Sequence, residues 1–224
     1  FVTFLLVLFV LKESLSPKEL GKQEQEKVSL RVHLSGPIGI LYFLQLFVSL
    51  SLAGLEATFA YFVAERAGLG TVELGYLFMI MGFAGALVQG GLVGRLTKRF
   101  GEPFVIQLGI IISAVGFGLI LLIDDFVTSA IFLTIFGIGN GFIRPSVSAL
   151  LTKTSNVGYG STTGLLSSFD SLGRIVGPPL GGWLFAISIG LPYISGIVLS
   201  LIAYTLFKIY HMLTFKQSKV ERVN

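Results

Sequence analysis

Four ionisable side chains stand inside long apolar runs: Glu56, Arg144, Asp170 and Arg174. A charge at the bilayer centre costs at least about 2.5–3.5 kcal/mol on insertion scales, so such residues turn toward a cavity or a partner. Asp170 and Arg174 are four apart on one helix face, a spacing that predicts an intrahelical pair. At about 1.5 Å of rise per residue, Arg144 reaches a depth comparable to that of Asp170 and is a second partner for it. The competing reading is a pair that neutralises itself only to permit insertion. Glu56 has no cationic neighbour on its own helix. In low dielectric, a carboxylate ionises according to its hydration and the approach of a cationic ligand. That is the behaviour of a proton carrier or a cation-binding group; the alternative is a permanently protonated, hydrogen-bonding Glu.

Other polar residues share the faces of these charges. At about 100° per residue, Gln45, Ser49 and Glu56 fall within an arc of about 40°, with Tyr42 beside them. Thr163, Ser167, Asp170 and Arg174 fall within about 60°. Asn140, Arg144 and Ser148 follow an i, i+4, i+8 row. Three helices thus carry polar stripes, which predict a water-accessible cavity lined by Tyr42, Gln45, Ser49, Asn140, Thr163 and Ser167.

Arg174 lies within the run Gly173-Arg-Ile-Val-Gly177-Pro178-Pro179-Leu-Gly181-Gly182. Glycine every fourth residue makes a smooth stripe against which a neighbouring helix backbone packs closely. The prolines remove two backbone donors and invite a bend. Gly82, Ala86, Gly90 and Gly94 form a similar stripe, read here as a second close-packing surface.

The elements that must position these residues are membrane helices. The 224 residues are 53% hydrophobic and only 12% charged, against about 25% charged in soluble domains. The apolar runs reach the ~20 residues that a bilayer crossing needs. The fold class is an all-α polytopic membrane protein. The chain has no cysteine, which excludes disulfides and thiolate metal sites. His33 lies in the linker and His211 at the very end of the last span, away from the embedded charges, so no metal site is expected. The net charge of +4 follows topology and does not point to nucleic acid.

Residues 1–11 are too short to cross a bilayer and read as the end of a truncated helix. Residues 12–36 form a polar linker. Six spans follow within residues 37–213, at about Pro37–Val63, Leu74–Gly94, Pro103–Ile123, Phe126–Leu151, Gly160–Ile189 and Pro192–Leu213, and residues 214–224 form a tail. Lys and Arg of the linker, of the second-to-third loop (Arg95, Lys98, Arg99), of Lys153 and of the tail fall on one side, with Arg66 alone opposite. The positive-inside rule places that side, with the C-terminus, in the cytoplasm.

Two motifs now carry a resemblance. Gly173–Gly182 matches the pattern G-x-x-x-G-P-x-x-G-G at every fixed position. Gly90–Gly101 is similar to the loop motif G-x-L-a-D-r-x-G-r-k, with Gly90, Leu92, Arg95, Lys98 and Arg99 matching. Gly94 stands where that motif has Asp and Thr97 where it has Gly. The chain resembles the C-terminal half of a major facilitator superfamily transporter, of the twelve-span drug:proton antiporter group. The resemblance implies two inverted three-helix repeats, the end of a preceding sixth helix, a central cytoplasmic loop and a missing N-terminal six-helix half. It also implies a plasma-membrane exporter of amphipathic small molecules, driven by a proton gradient without cofactor and not an enzyme. Its proton-coupling or substrate-binding residues would be Glu56, Asp170, Arg144 and Arg174, with Gly173, Gly177, Pro178, Gly181 and Gly182 packing or gating. The alternatives are a sugar or metabolite porter of the same superfamily, or a truncated membrane fragment that does not transport.

Overall fold

Proline and glycine mark several helix boundaries, at Pro37, Gly68, Gly70, Gly101 and Gly190, while Asp124 and Asp125 mark another. A computed structural model describes residues 36–154 and 159–221; the expected helix end at 1–11 and nearly all of the 12–36 linker lie outside the described residues. The helices are α1 (Pro37–Ala67), α2 (Thr71–Phe100), α3 (Glu102–Ile120), α4 (Phe126–Thr154), α5 (Tyr159–Ile187) and α6 (Leu191–Glu221). Pro37 opens α1, where its missing N–H costs nothing. Gly68 ends α1 at φ 65°, and its N–H closes back on the Ala64 carbonyl at 3.1 Å. Gly101, at φ 83°, turns α2 into α3 in a single residue, a conformation that a side chain would strain.

All but α5 are long and apolar enough to cross a membrane. The polar stripe of α5 dilutes its apolar content, and the chain still carries it alongside α1. α6 continues as helix to Glu221, past the tail boundary expected at 214, because no proline or glycine intervenes to stop it.

The pairing of helices has a pattern. The broadest interfaces are α1–α5 and α3–α4, followed by α1–α6, α3–α6 and α2–α4. Exchanging α1 with α4, α2 with α5 and α3 with α6 maps this set onto itself. That is the contact pattern of two three-helix repeats related by a pseudo-two-fold axis. Three apolar clusters fill the bundle, one around Leu41, Ile106, Val147 and Phe207, a second around Phe59, Phe117, Phe136 and Tyr193, and a smaller third of Val88, Val93, Val105 and Phe142.

The symmetry is imperfect at α2. This helix buries only Leu77, Val88 and Val93. A π-helical turn at Val88–Leu92 widens it just ahead of its last two turns, a local irregularity that often marks functional positions.

Candidate functional site

The cavity forms because two helix pairs are held apart. α1 and α5 make one wall, α2 and α4 the other, around an open volume of about 660 Å³. The first wall is closed by the glycine stripe of α5. A Cβ at Gly173 would stand 2.8 Å from the Leu46 carbonyl oxygen, one at Gly177 2.7 Å from that of Leu50, and one at Gly181 2.9 Å from Gly54 Cα. Gly182, with nothing within 4 Å of such a Cβ, takes no part in this packing. It is rotated about 100° from Gly181 and so leaves the α1 face.

Asp170 is the centre of the polar network. Gln45 Nε2 donates to its Oδ1 at 2.9 Å, and the Ser49 hydroxyl donates to the same oxygen. Arg144 Nη2 lies 3.2 Å and Arg174 Nε 3.5 Å from Oδ2. One buried carboxylate thus ties α1, α4 and α5 together. Both arginines remain about half exposed to the cavity, at 57% and 45% of their side-chain surface.

Glu56 stands apart. It is exposed in the cavity wall, and no hydrogen bond or ion pair involves it among the described residues. Arg174 is the cation whose field reaches it. Gln45, Ser49, Asn140, Arg144, Ser148 and Asp170 line the same space. Pro145, next to Arg144, removes the donor that the Gly141 carbonyl would otherwise meet, leaving a further acceptor in the lining.

Three residues expected in this lining are placed elsewhere. Tyr42 is fully buried, its ring against Phe169 at 5.7 Å; the right helix face was covered by a neighbouring aromatic. Thr163 and Ser167 continue the face of Asp170 nearer the start of α5, beyond the reach of the cavity.

The α2 stripe is also a correction. A Cβ at Gly82, Gly90 or Gly94 would meet nothing within 4 Å, and Gly82 and Ala86 line the cavity. The glycines that bring α2 and α4 together belong to α4. Gly137 abuts Met81, and a Cβ at Gly141 would lie 3.7 Å from the Gly85 carbonyl oxygen. Between them Gly139 faces α3, whose Gly109 would place a Cβ 2.8 Å from the Gly139 oxygen. The run Gly137-Ile-Gly139-Asn-Gly141 was the available signal.

Arg95, Lys98 and Arg99 are exposed at the end of α2, and none forms an ion pair among the described residues. Arg99 instead lies over the Phe100 ring at 5.2 Å. The ion pair at this end of the bundle joins Lys153 of α4 to Glu102 of α3, a contact across 51 positions that no local spacing announces.

Comparison with known proteins is consistent with this architecture. The family model described as Major Facilitator Superfamily matches residues 1–156 and 41–223. Multidrug resistance protein 2 of Bacillus subtilis is 28% identical over 195 residues, covering 83% of this chain and 48% of that protein. Multidrug resistance protein 1 of the same organism is 29% identical over 154 residues, covering 69% and 40%. Quinolone resistance protein NorA of Staphylococcus aureus is 25% identical over 184 residues, covering 82% and 46%. The chain spans about half the length of the curated relatives it matches.

Proposed function

The chain belongs to the major facilitator superfamily, and from that premise we propose that it is half of a proton-coupled exporter of amphipathic drugs. The observation that carries this reading is the division of labour between two carboxylates in one cavity. Asp170 has four partners and stays in place as the anchor of three helices. Glu56 has none among the described residues and is open to the cavity, so a proton or a cationic compound has direct access to it. The drug class is supported by the names of the relatives, two called multidrug resistance proteins and one a quinolone resistance protein.

In this mechanism the cavity opens alternately to each side as this half rocks against the remainder of the protein. Glu56 releases its proton when the cationic compound arrives and rebinds one after it leaves. No cofactor enters the cycle, since the proton gradient supplies the work. The α1–α5 glycine contact moves as a rigid unit, and the less buried α2 faces the changing side. In this reading the protein sits in the plasma membrane with its C-terminus in the cytoplasm, an orientation that the distribution of Lys and Arg favours.

The test is substrate-stimulated proton flux in proteoliposomes holding the full-length protein. Glu56→Gln keeps the side chain's shape and is expected to leave insertion intact while abolishing coupled flux. Normal coupling in that variant would sink the proposal.

A further inference from the structure

The arginine pair carries more donor capacity than Asp170 uses. Arg144 commits Nη2 and Arg174 commits Nε to a single carboxylate oxygen. The other guanidinium nitrogens of both side chains have no acceptor among the described residues, and both side chains are about half exposed to the cavity. Two cations against one anion leave the node with a surplus positive charge. A guanidinium presents its remaining N–H groups as a planar fork suited to two oxygens of one anion. Glu56 provides the opposite charge in the same cavity. It lies seven positions further along α1 than Ser49, which holds Asp170, a rise of about 10 Å along the helix.

We infer that Arg144 and Arg174 form an anion subsite in the cavity, and that the preferred ligand is a zwitterionic amphiphile with a carboxylate or sulfonate on the arginines and a cationic nitrogen toward Glu56. Asp170 positions the subsite: it holds the two guanidiniums side by side and neutralises one of their charges. A second anion is therefore accepted without displacing the first. A purely cationic compound satisfies Glu56 but leaves the guanidinium fork facing only water. This inference rests on the cavity being the ligand site of the proposed exporter.

The test uses a matched pair of dyes with the purified full-length protein. One is a xanthylium dye with a free benzoate, the other its methyl ester, a cation on the same scaffold. The readout is the ratio of their dissociation constants, with proton flux measured separately. The wild-type protein is expected to bind the free acid about tenfold more tightly than the ester, the factor for one charge-assisted hydrogen-bonded contact. Arg144→Gln is expected to remove most of that ratio. Arg144→Lys, which keeps the charge without the fork, is expected to fall between. The subsite is overturned if the wild type favours the ester, binds neither dye, or shows a ratio that Arg144→Gln leaves unmoved. An Arg144-dependent ratio with no coupled proton flux overturns the transport reading and leaves the subsite standing.

Discussion

The α1–α5 and α2–α4 junctions occupy equivalent places under the exchange of the two three-helix repeats, yet one is closed and the other open. At α1–α5 the glycines of one helix lie against the backbone of the other over about two turns, and a buried carboxylate network joins the pair. At α2–α4 the close glycine contacts are those of Gly137 and Gly141 of α4 against Met81, Gly85 and Val88; Leu77 shares an apolar cluster with Leu133 and Phe136, and Val88 and Val93 share another with Phe142, while the cavity opens beside them. Without a hydrophobic drive in lipid, helix association depends on close packing and polar contacts. The first junction has both; the second rests on apolar side chains, with no hydrogen bond or ion pair between the two helices among the described residues. The unequal packing of equivalent pairs places a cavity inside an otherwise symmetric bundle, with Glu56, Asp170 and Arg174 on the closed side and Arg144 reaching Asp170 from the open one.

The largest expected effect comes from breaking the closed side at its charge. Asp170→Ala strands two guanidiniums and the buried donors of Gln45 and Ser49. We expect a loss of about 3 kcal/mol, the low end for breaking a buried pair, because 57% and 45% of the arginine side chains stay exposed. Asn140→Ala, on the open side, is expected to change stability by no more than about 0.5 kcal/mol. Thermal unfolding of the purified variants in one detergent measures both. Equal losses would mean that the polar network does not distinguish the two sides.

Packing offers the next contrast. Gly177→Ala would drive a Cβ to 2.7 Å from the Leu50 backbone oxygen, and backbone cannot move aside as a side chain tip can. A cost of about 1–3 kcal/mol is expected, as for other overpacked cores. Gly82→Ala has open space around it and is expected to be tolerated. A destabilised Gly82→Ala beside an unaffected Gly177→Ala would reverse the assignment of open and closed.

Much of the closed side was legible in the sequence. The i, i+4 spacing of Asp170 and Arg174 and the depth of Arg144 predict the node, and glycine every fourth residue predicts a close contact. What spacing does not supply is the identity of the neighbour. Gly82, Ala86, Gly90 and Gly94 have the same periodicity as the α5 stripe, but their face meets cavity and open surface, while the alternating glycines of α4 make the contact. Tyr42 shows the same limit, for the angle that puts it beside Gln45 says nothing of Phe169 closing over it. The Glu102–Lys153 pair depends on how α3 and α4 meet end to end, which is settled by tertiary packing alone. Local periodicity fixes which residues share a face; the repeat arrangement decides what that face meets.

The smallest effect belongs to the end of α4, the helix that bears the open junction, and it separates helix formation from helix pairing. Asp125 precedes α4 and accepts hydrogen bonds from the Thr128 backbone N–H and hydroxyl, each at 2.7 Å. These donors favour the ionised carboxylate and hold Asp125 below its ordinary range. A depressed pKa in the folded state means that the cap's contribution is complete above the ordinary Asp value of about 4 and is lost as pH falls through the folded value. Asp125→Ala is therefore expected to lower Tm slightly at neutral pH, with the gap from wild type narrowing as pH drops below about 4. The ratio of Tm shifts for Asp125→Ala and Gly177→Ala then compares the start of one helix with the pairing of two others. If capping limits α4, and with it the open side, the Asp125 variant will match or exceed the glycine variant. A smaller, acid-sensitive shift keeps the difference between the junctions where the contacts place it, in how the helices pair.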